Sequence, residues 1–314
     1  MRLPNTHRIA GFLGLAAVFW FLATTPAGAG FAQDTDGVEL TILQAIILGF
    51  VEGLTEYLPV SSTGHLLVAN ELLGLNDTQV SKDAIETYAI CIQVGAIIAV
   101  LFLYWERIRQ MFDGLLGRSE EGRTILRAVI IAFGFTAVIG LASEDFVKDN
   151  LFGVAPIAAA WIVGGLLILA LGRIGWFDRT SKELGSLTWQ NAVIVGLIQA
   201  VAMWPGVSRS MITIIAAVLV GLSLRAAVEF SFLLGLLTLS AATAYEGLRG
   251  GPELIETFGV GTPLVGLVVA FVSAMFAVKW MVAWLNDKGF EVFGWYRIAV
   301  GILAFVLLGT NTIA

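Results

Sequence analysis

Two stretches of the chain concentrate side chains able to do chemistry: Val51-Glu52-Gly53-Leu54-Thr55-Glu56-Tyr57-Leu58-Pro59-Val60-Ser61-Ser62-Thr63-Gly64-His65 and Trp204-Pro205-Gly206-Val207-Ser208-Arg209-Ser210-Met211-Ile212-Thr213. Both lie inside long apolar runs, where ionisable groups are costly and mark function. Glu52 and Glu56 are four apart, so on a helix they share a face and can address one ligand. Two neighbouring carboxylates repel unless a cation sits between them, and their hard oxygens suit magnesium or calcium. The alternative is a structural pair tied to an arginine elsewhere, for which Arg209 is the obvious partner.

Pro59 ends the first helix, and Ser61, Ser62, Thr63 and Gly64 favour a new helix start. The unpaired amides of such a start bind phosphate. Simple capping would account for one of these hydroxyls, hardly for three followed by a glycine. His65 falls in the first turn after them and is placed to act as general base, general acid or nucleophile; the plainer reading is a buried histidine bonded for packing. In the second stretch Arg209 offers a planar fork of donors that fits phosphate oxygens, and Ser208, Ser210 and Thr213 can add hydroxyls. Carboxylates and a nucleophile from one stretch with an anion clamp from the other make the set that phosphoryl transfer requires.

The elements that must position these groups are membrane helices. Of 314 residues 58% are hydrophobic and only 13% charged, against roughly 25% charged in soluble domains. The chain therefore reads as an all-α integral membrane protein with a single membrane domain over 33–314. A net charge of −6, with basic residues scattered through loops, argues against a nucleic-acid partner. Cys91, the sole cysteine, can form no internal disulfide and reads as a packing residue.

Apolar runs at 84–104, 124–141, 153–172, 225–245, 260–284 and 292–312 predict six spanning helices. Two further runs, 40–74 and 187–222, are broken near their middles by Pro59 and by Pro205-Gly206, and are read as re-entrant helical hairpins. Cytoplasmic loops collect Lys and Arg. On that rule the connection with Arg107, Arg109, Arg118 and Arg123 is cytoplasmic, and so is the one with Arg173, Arg179 and Lys182. The connections carrying Glu144, Asp145 and Asp149, and Glu246, Glu253 and Glu256, are external. This alternation holds if neither hairpin crosses the membrane, so each half is a hairpin plus three spans, inserted in opposite senses: an inverted-topology repeat over about 39–172 and 187–312. A shift of 147 positions sets Ala45 on Ala192, Gly49 on Gly196, Tyr57 on Trp204 and Ser61 on Ser208, with Glu52 on Gln199 and Ser62 on Arg209. Residues 1–32, with Arg2 and Arg8 ahead of an apolar run and small residues after it, are expected to be a signal peptide or an extra N-terminal helix.

The two motif stretches resemble the undecaprenyl-pyrophosphate phosphatase family, also called the bacitracin-resistance family, over approximately residues 40–312. The resemblance rests on Glu52-Gly53-Leu54-Thr55-Glu56, on Leu58 through His65, and on Pro205 through Ser210. It implies hydrolysis of undecaprenyl diphosphate to the monophosphate used in peptidoglycan synthesis, with bacitracin resistance as a consequence. It also implies a bacterial inner-membrane protein whose site faces the periplasm and needs a divalent cation. Glu52 and Glu56 match the family's acidic motif, Ser62 and His65 its nucleophile region, and Arg209 its phosphate-binding arginine; Ser62 is preferred as nucleophile with His65 as base. Met211-Ile212 depart from the glycine and alanine more usual there. The competing reading is a polyprenyl-phosphate flippase or other secondary transporter, since carriers share broken helices and inverted repeats. Whether the chain works alone or as a homodimer is left open.

Overall fold

The computed structural model describes residues 40–75, 79–286 and 288–313, so the reading of residues 1–32 lies outside the described residues. Its α-helices, in chain order, are α1 (Ile42–Thr55), α2 (Ser62–Leu72), α3 (Gln79–Leu103), α4 (Trp105–Leu115), α5 (Glu120–Leu151) and α6 (Val154–Arg173). There follow α7 (Trp189–Gln199), α8 (Arg209–Leu219), α9 (Leu224–Phe258), α10 (Gly261–Leu285) and α11 (Glu291–Gly309). Segments of α3, α5, α6, α9, α10 and α11 are long and apolar enough to cross a membrane. Their outer faces expose residues such as Val138, Leu141, Val163, Leu166, Val272, Phe276 and Ile302, surface that lipid rather than water can cover. The chain is a multi-pass, all-helical membrane protein.

The two broken runs form helix–turn–helix pairs, α1–α2 and α7–α8. At 14 and 11 residues, α1 and α7 are too short to span about 30 Å at 1.5 Å per residue. The pairs match in detail. Thr41 and Thr188, 147 apart, each cap their helix with a reciprocal capping box, to Gln44 and Asn191. Ser61 and Ser208, again 147 apart, precede α2 and α8 with φ of 72° and 74°, a left-handed backbone uncommon for residues with a side chain. Packing follows the same correspondence: α3 lies on α9 and α6 on α11, while α1 packs on α10 and α7 on α5. Small residues permit these contacts. A methyl group at Gly49 would strike the backbone of Gly266 on α10, and one at Gly196 the backbone of Ala132 on α5.

Three features depart from the expected layout. α5 and α9 are 32 and 35 residues long, well beyond their apolar runs, so Glu144, Asp145, Lys148 and Asp149 sit on a helix and not in a loop. Lys148 bonds Glu144 at 2.7 Å, an i,i+4 pair that supports the extension. Between α3 and α5 the basic connection contains α4, with Trp105, Phe112, Leu115 and Leu116 exposed along one side.

Candidate active site

The break between α1 and α2 brings the first motif to a point. Glu52 lies one turn before the end of α1 and Glu56 caps that end, so both carboxylates project at the turn. Ser62 opens α2, and its Oγ donates a hydrogen bond to Glu56 Oε2. From the other half, Arg209 opens α8 and donates from Nη2 to Glu56 Oε1 at 2.7 Å, a nearly buried ion pair. Ser62 and Arg209 are equivalent under the 147-residue shift. One carboxylate thus joins the two corresponding helix starts. The Arg209 guanidinium rests 5.5 Å from the centre of the Tyr57 ring and also donates to Ser231 O. It lies against α9 at Gly235, where a methyl group would occupy its position. Glu52 is buried beside Glu56 and Ser62.

The turn itself is tied down one carbonyl at a time. Leu58 O accepts from Ser210 Oγ at 2.9 Å, Pro59 O from Arg297 Nη1 at 3.2 Å, Val60 O from Trp161 Nε1 at 2.7 Å and Ser61 O from His65 Nδ1 at 2.6 Å. Four successive carbonyls are held by side-chain donors from α8, α11, α6 and α2, beside the backbone bonds from Val60 N to Leu58 O and from His65 N to Ser61 O, which makes the left-handed Ser61 sustainable. His65 is wholly buried. A carbonyl only accepts, so its Nδ1 carries the proton toward Ser61, and Nε2 faces the Tyr296 hydroxyl at 2.8 Å.

The structure thus brings Glu52, Glu56, Ser62 and Arg209 together, with Ser61 and the exposed Thr63 flanking them. Ser62 is paired with Glu56, while both His65 nitrogens face other groups. Ser208, Ser210 and Thr213 stand one step back: Ser208 caps α8 and lies 3.0 Å from Ser210, and Thr213 bonds Gln199 at 3.0 Å. Sequence reasoning missed Trp161, Tyr296, Arg297 and Gly235. Only Arg297 carried a signal, being a charge in the middle of an apolar run.

The residues suit a hard divalent cation in one respect. Glu52 Oε1 is buried with no hydrogen-bond partner, and it adjoins a second carboxylate. Among the described residues no group of three or more His, Cys, Asp or Glu is placed to hold a metal. The set therefore fits an ion that takes one or two carboxylates and finds its other ligands in phosphate and water, as magnesium does.

A sequence profile described as "Bacitracin resistance protein BacA" matches residues 45–303, which takes in both motifs. The chain belongs to the BacA family. Among similar proteins are the "Undecaprenyl-diphosphatase" of Sorangium cellulosum, 40% identical over 84% of this chain and 85% of that protein, and the "Undecaprenyl-diphosphatase 3" of Acinetobacter baylyi, 40% identical over 84% and 97%. "Undecaprenyl-diphosphatase 2" of Rhodospirillum rubrum is 41% identical over 83% of this chain and 93% of its own length.

Proposed function

We propose that this chain hydrolyses undecaprenyl diphosphate to undecaprenyl phosphate and inorganic phosphate, as the names of its relatives state for them. The observation that carries the reading is Glu56, bonded at once to a hydroxyl nucleophile and to a phosphate-binding guanidinium from opposite halves of the chain. Ser62 Oγ attacks the terminal phosphorus and gives its proton to Glu56; the new Ser62 O–P bond forms as the anhydride P–O bond breaks, and the lipid monophosphate leaves. Glu56 passes that proton to the departing lipid phosphate; water then attacks the phosphoserine and gives a proton to the freed carboxylate, which returns it to Ser62 Oγ as the Ser62 O–P bond breaks and inorganic phosphate departs. Arg209 bridges phosphate oxygens as charge shifts on them. The start of α2, with no side-chain cap on its first-turn amides, adds donors beside it.

Here the base is Glu56 rather than His65, because Ser62 already donates to it. His65 is a positioning residue that holds the Ser61 carbonyl. Glu52 and Glu56 would hold a magnesium or calcium ion, which when bound neutralises phosphate charge. The site opens toward the periplasm, the domain is one unit over 33–314, and the monophosphate returns to peptidoglycan synthesis, which makes the activity protective against bacitracin.

The test is phosphate release from a polyprenyl diphosphate by purified protein in detergent. Ser62→Ala, Glu56→Gln and Arg209→Ala should each be nearly silent, and His65→Ala should keep an intermediate rate. Undiminished release by Ser62→Ala and Arg209→Ala would overturn the site. No release by folded wild type would favour the transporter reading.

A further inference from the structure

Arg297 on α11 is fully buried and, among the described residues, makes no ion pair. A bare cation in a membrane bundle is costly, so its retention needs a reason. All its bonds go to backbone carbonyls. Nη1 donates to Pro59 O at 3.2 Å, and Nη2 donates to Gly206 O at 2.8 Å and to Ala160 O at 3.0 Å. Pro59 lies in the turn of the first hairpin and Gly206 in the turn of the second; Ala160 is on α6. One planar fork therefore fixes the distance between the two turns. Three residues beyond each of these carbonyls stand Ser62 and Arg209, which meet on Glu56. Gly164 on α6 leaves the space the guanidinium occupies, since a methyl group there would meet Nη2.

We propose that Arg297 is a positioning residue: it sets the register of the two hairpin turns and so brings the Arg209 clamp onto the Glu56–Ser62 pair. The proposal rests on the phosphatase reading for its kinetic consequence but not for its geometric one. No neutral side chain reaches three carbonyls from three elements with one rigid group, and lysine offers a point charge without the fork.

Two measurements separate the proposal from the reading beneath it. The first is structural. In a Cys91→Ala background, spin labels on Thr63→Cys and Trp204→Cys report the distance between the turns. Wild type at position 297 should give one narrow distribution, Arg297→Met a broadened or shifted one, and Arg297→Lys an intermediate. An unchanged distribution in Arg297→Met overturns the proposal, whatever the activity. The second is kinetic. Misplacement on the order of an ångström can cost about 100-fold in turnover, so Arg297→Met should fall by about that factor, with Arg297→Lys recovering part of it. Gly164→Ala, which keeps the charge but displaces the guanidinium, should fall about tenfold on the same ground. Combining Arg297→Met with Arg209→Gln should cost little beyond Arg209→Gln alone, because a misaligned clamp has less left to lose. A double mutant falling by the full product of the two singles, or Gly164→Ala at full turnover beside an inactive Arg297→Met, overturns it. Wild type with narrow distances but no phosphate release would fail the phosphatase reading alone.

Discussion

Glu56 has two oxygens and two neighbours of different chemistry, a hydroxyl that can give up a proton and a guanidinium that cannot. Arg209 holds the carboxylate in place on one side, which leaves the other oxygen as the acceptor for Ser62. Glu56→Gln keeps the shape and loses the acceptor. Loss of a general base costs roughly 100- to 10,000-fold, so phosphate release should fall within that range; the change also leaves the nearly buried Arg209 without its ionic partner, so the Tm of the purified variant should fall with it. Gly235→Ala asks a complementary question from the far side of Arg209. Alanine favours a helix interior over glycine by about 1 kcal/mol, so α9 should lose no stability, but the added methyl displaces the guanidinium from its seat. The expected outcome is a Tm close to wild type, the helix-propensity gain offsetting the weakened Arg209 contacts, with turnover down at least about tenfold, the size of one weakened charged contact. Wild-type turnover in Gly235→Ala would show that Arg209 acts from another position.

At the scale of elements, the hairpin turn works because the carbonyls of Leu58, Pro59 and Val60 are taken by side chains from outside the hairpin. Trp161→Phe keeps an aromatic ring beside His65 but removes the donor to Val60 O together with part of the buried ring volume. Leaving that buried carbonyl unpaired should cost about 1–3 kcal/mol of stability, read as a lower Tm, with a loss of turnover beyond what the stability change explains. A variant with unchanged Tm and unchanged turnover would mean the turn is held without Trp161. This division explains what the sequence could disclose. Pro59 and Pro205-Gly206 mark the breaks and the spacing of Glu52, Glu56 and Ser62 marks groups that can share one ligand, because local rules govern both; Arg209, 153 residues from Glu56, is joined to them only through the repeat and the family resemblance. Trp161 and Tyr296 are ordinary residues of apolar spans, and nothing in their neighbours says that they face a turn 101 or 231 residues away. Extension of α5 past its apolar run was hidden for a different reason. Its tail is polar yet free of Gly and Pro through Leu151, so hydropathy marked where the membrane ends and not where the helix does.

For the whole molecule, the correspondence of α1–α2 with α7–α8, of α3 with α9 and of α6 with α11 relates two halves, and we propose that they lie in opposite senses in the membrane, as an odd number of spans between equivalent points would place them. That arrangement would serve the chemistry. The substrate's diphosphate would sit at the edge of a bilayer that holds its tail, and hairpins entering from opposite faces would place two helix starts at one depth within reach of it. The decisive feature is parity. Between the end of α5 and the end of α9 the chain crosses the membrane twice, through α6 and α9, provided that α7–α8 turns back; if that pair crosses, the count is three. Single cysteines in a Cys91→Ala background read the difference through reaction with a membrane-impermeant maleimide in intact cells. Asp145→Cys and Glu256→Cys should both react from outside, while Arg118→Cys and Arg179→Cys should react only after permeabilisation, all four native side chains being exposed. Asp145 and Glu256 labelled from opposite sides would mean a crossing hairpin, and the inverted repeat would fall. Thr63→Cys reacting from outside, with protection by a polyprenyl diphosphate, would place the mouth of the site on the periplasmic face; reaction only after permeabilisation would turn it to the cytoplasm.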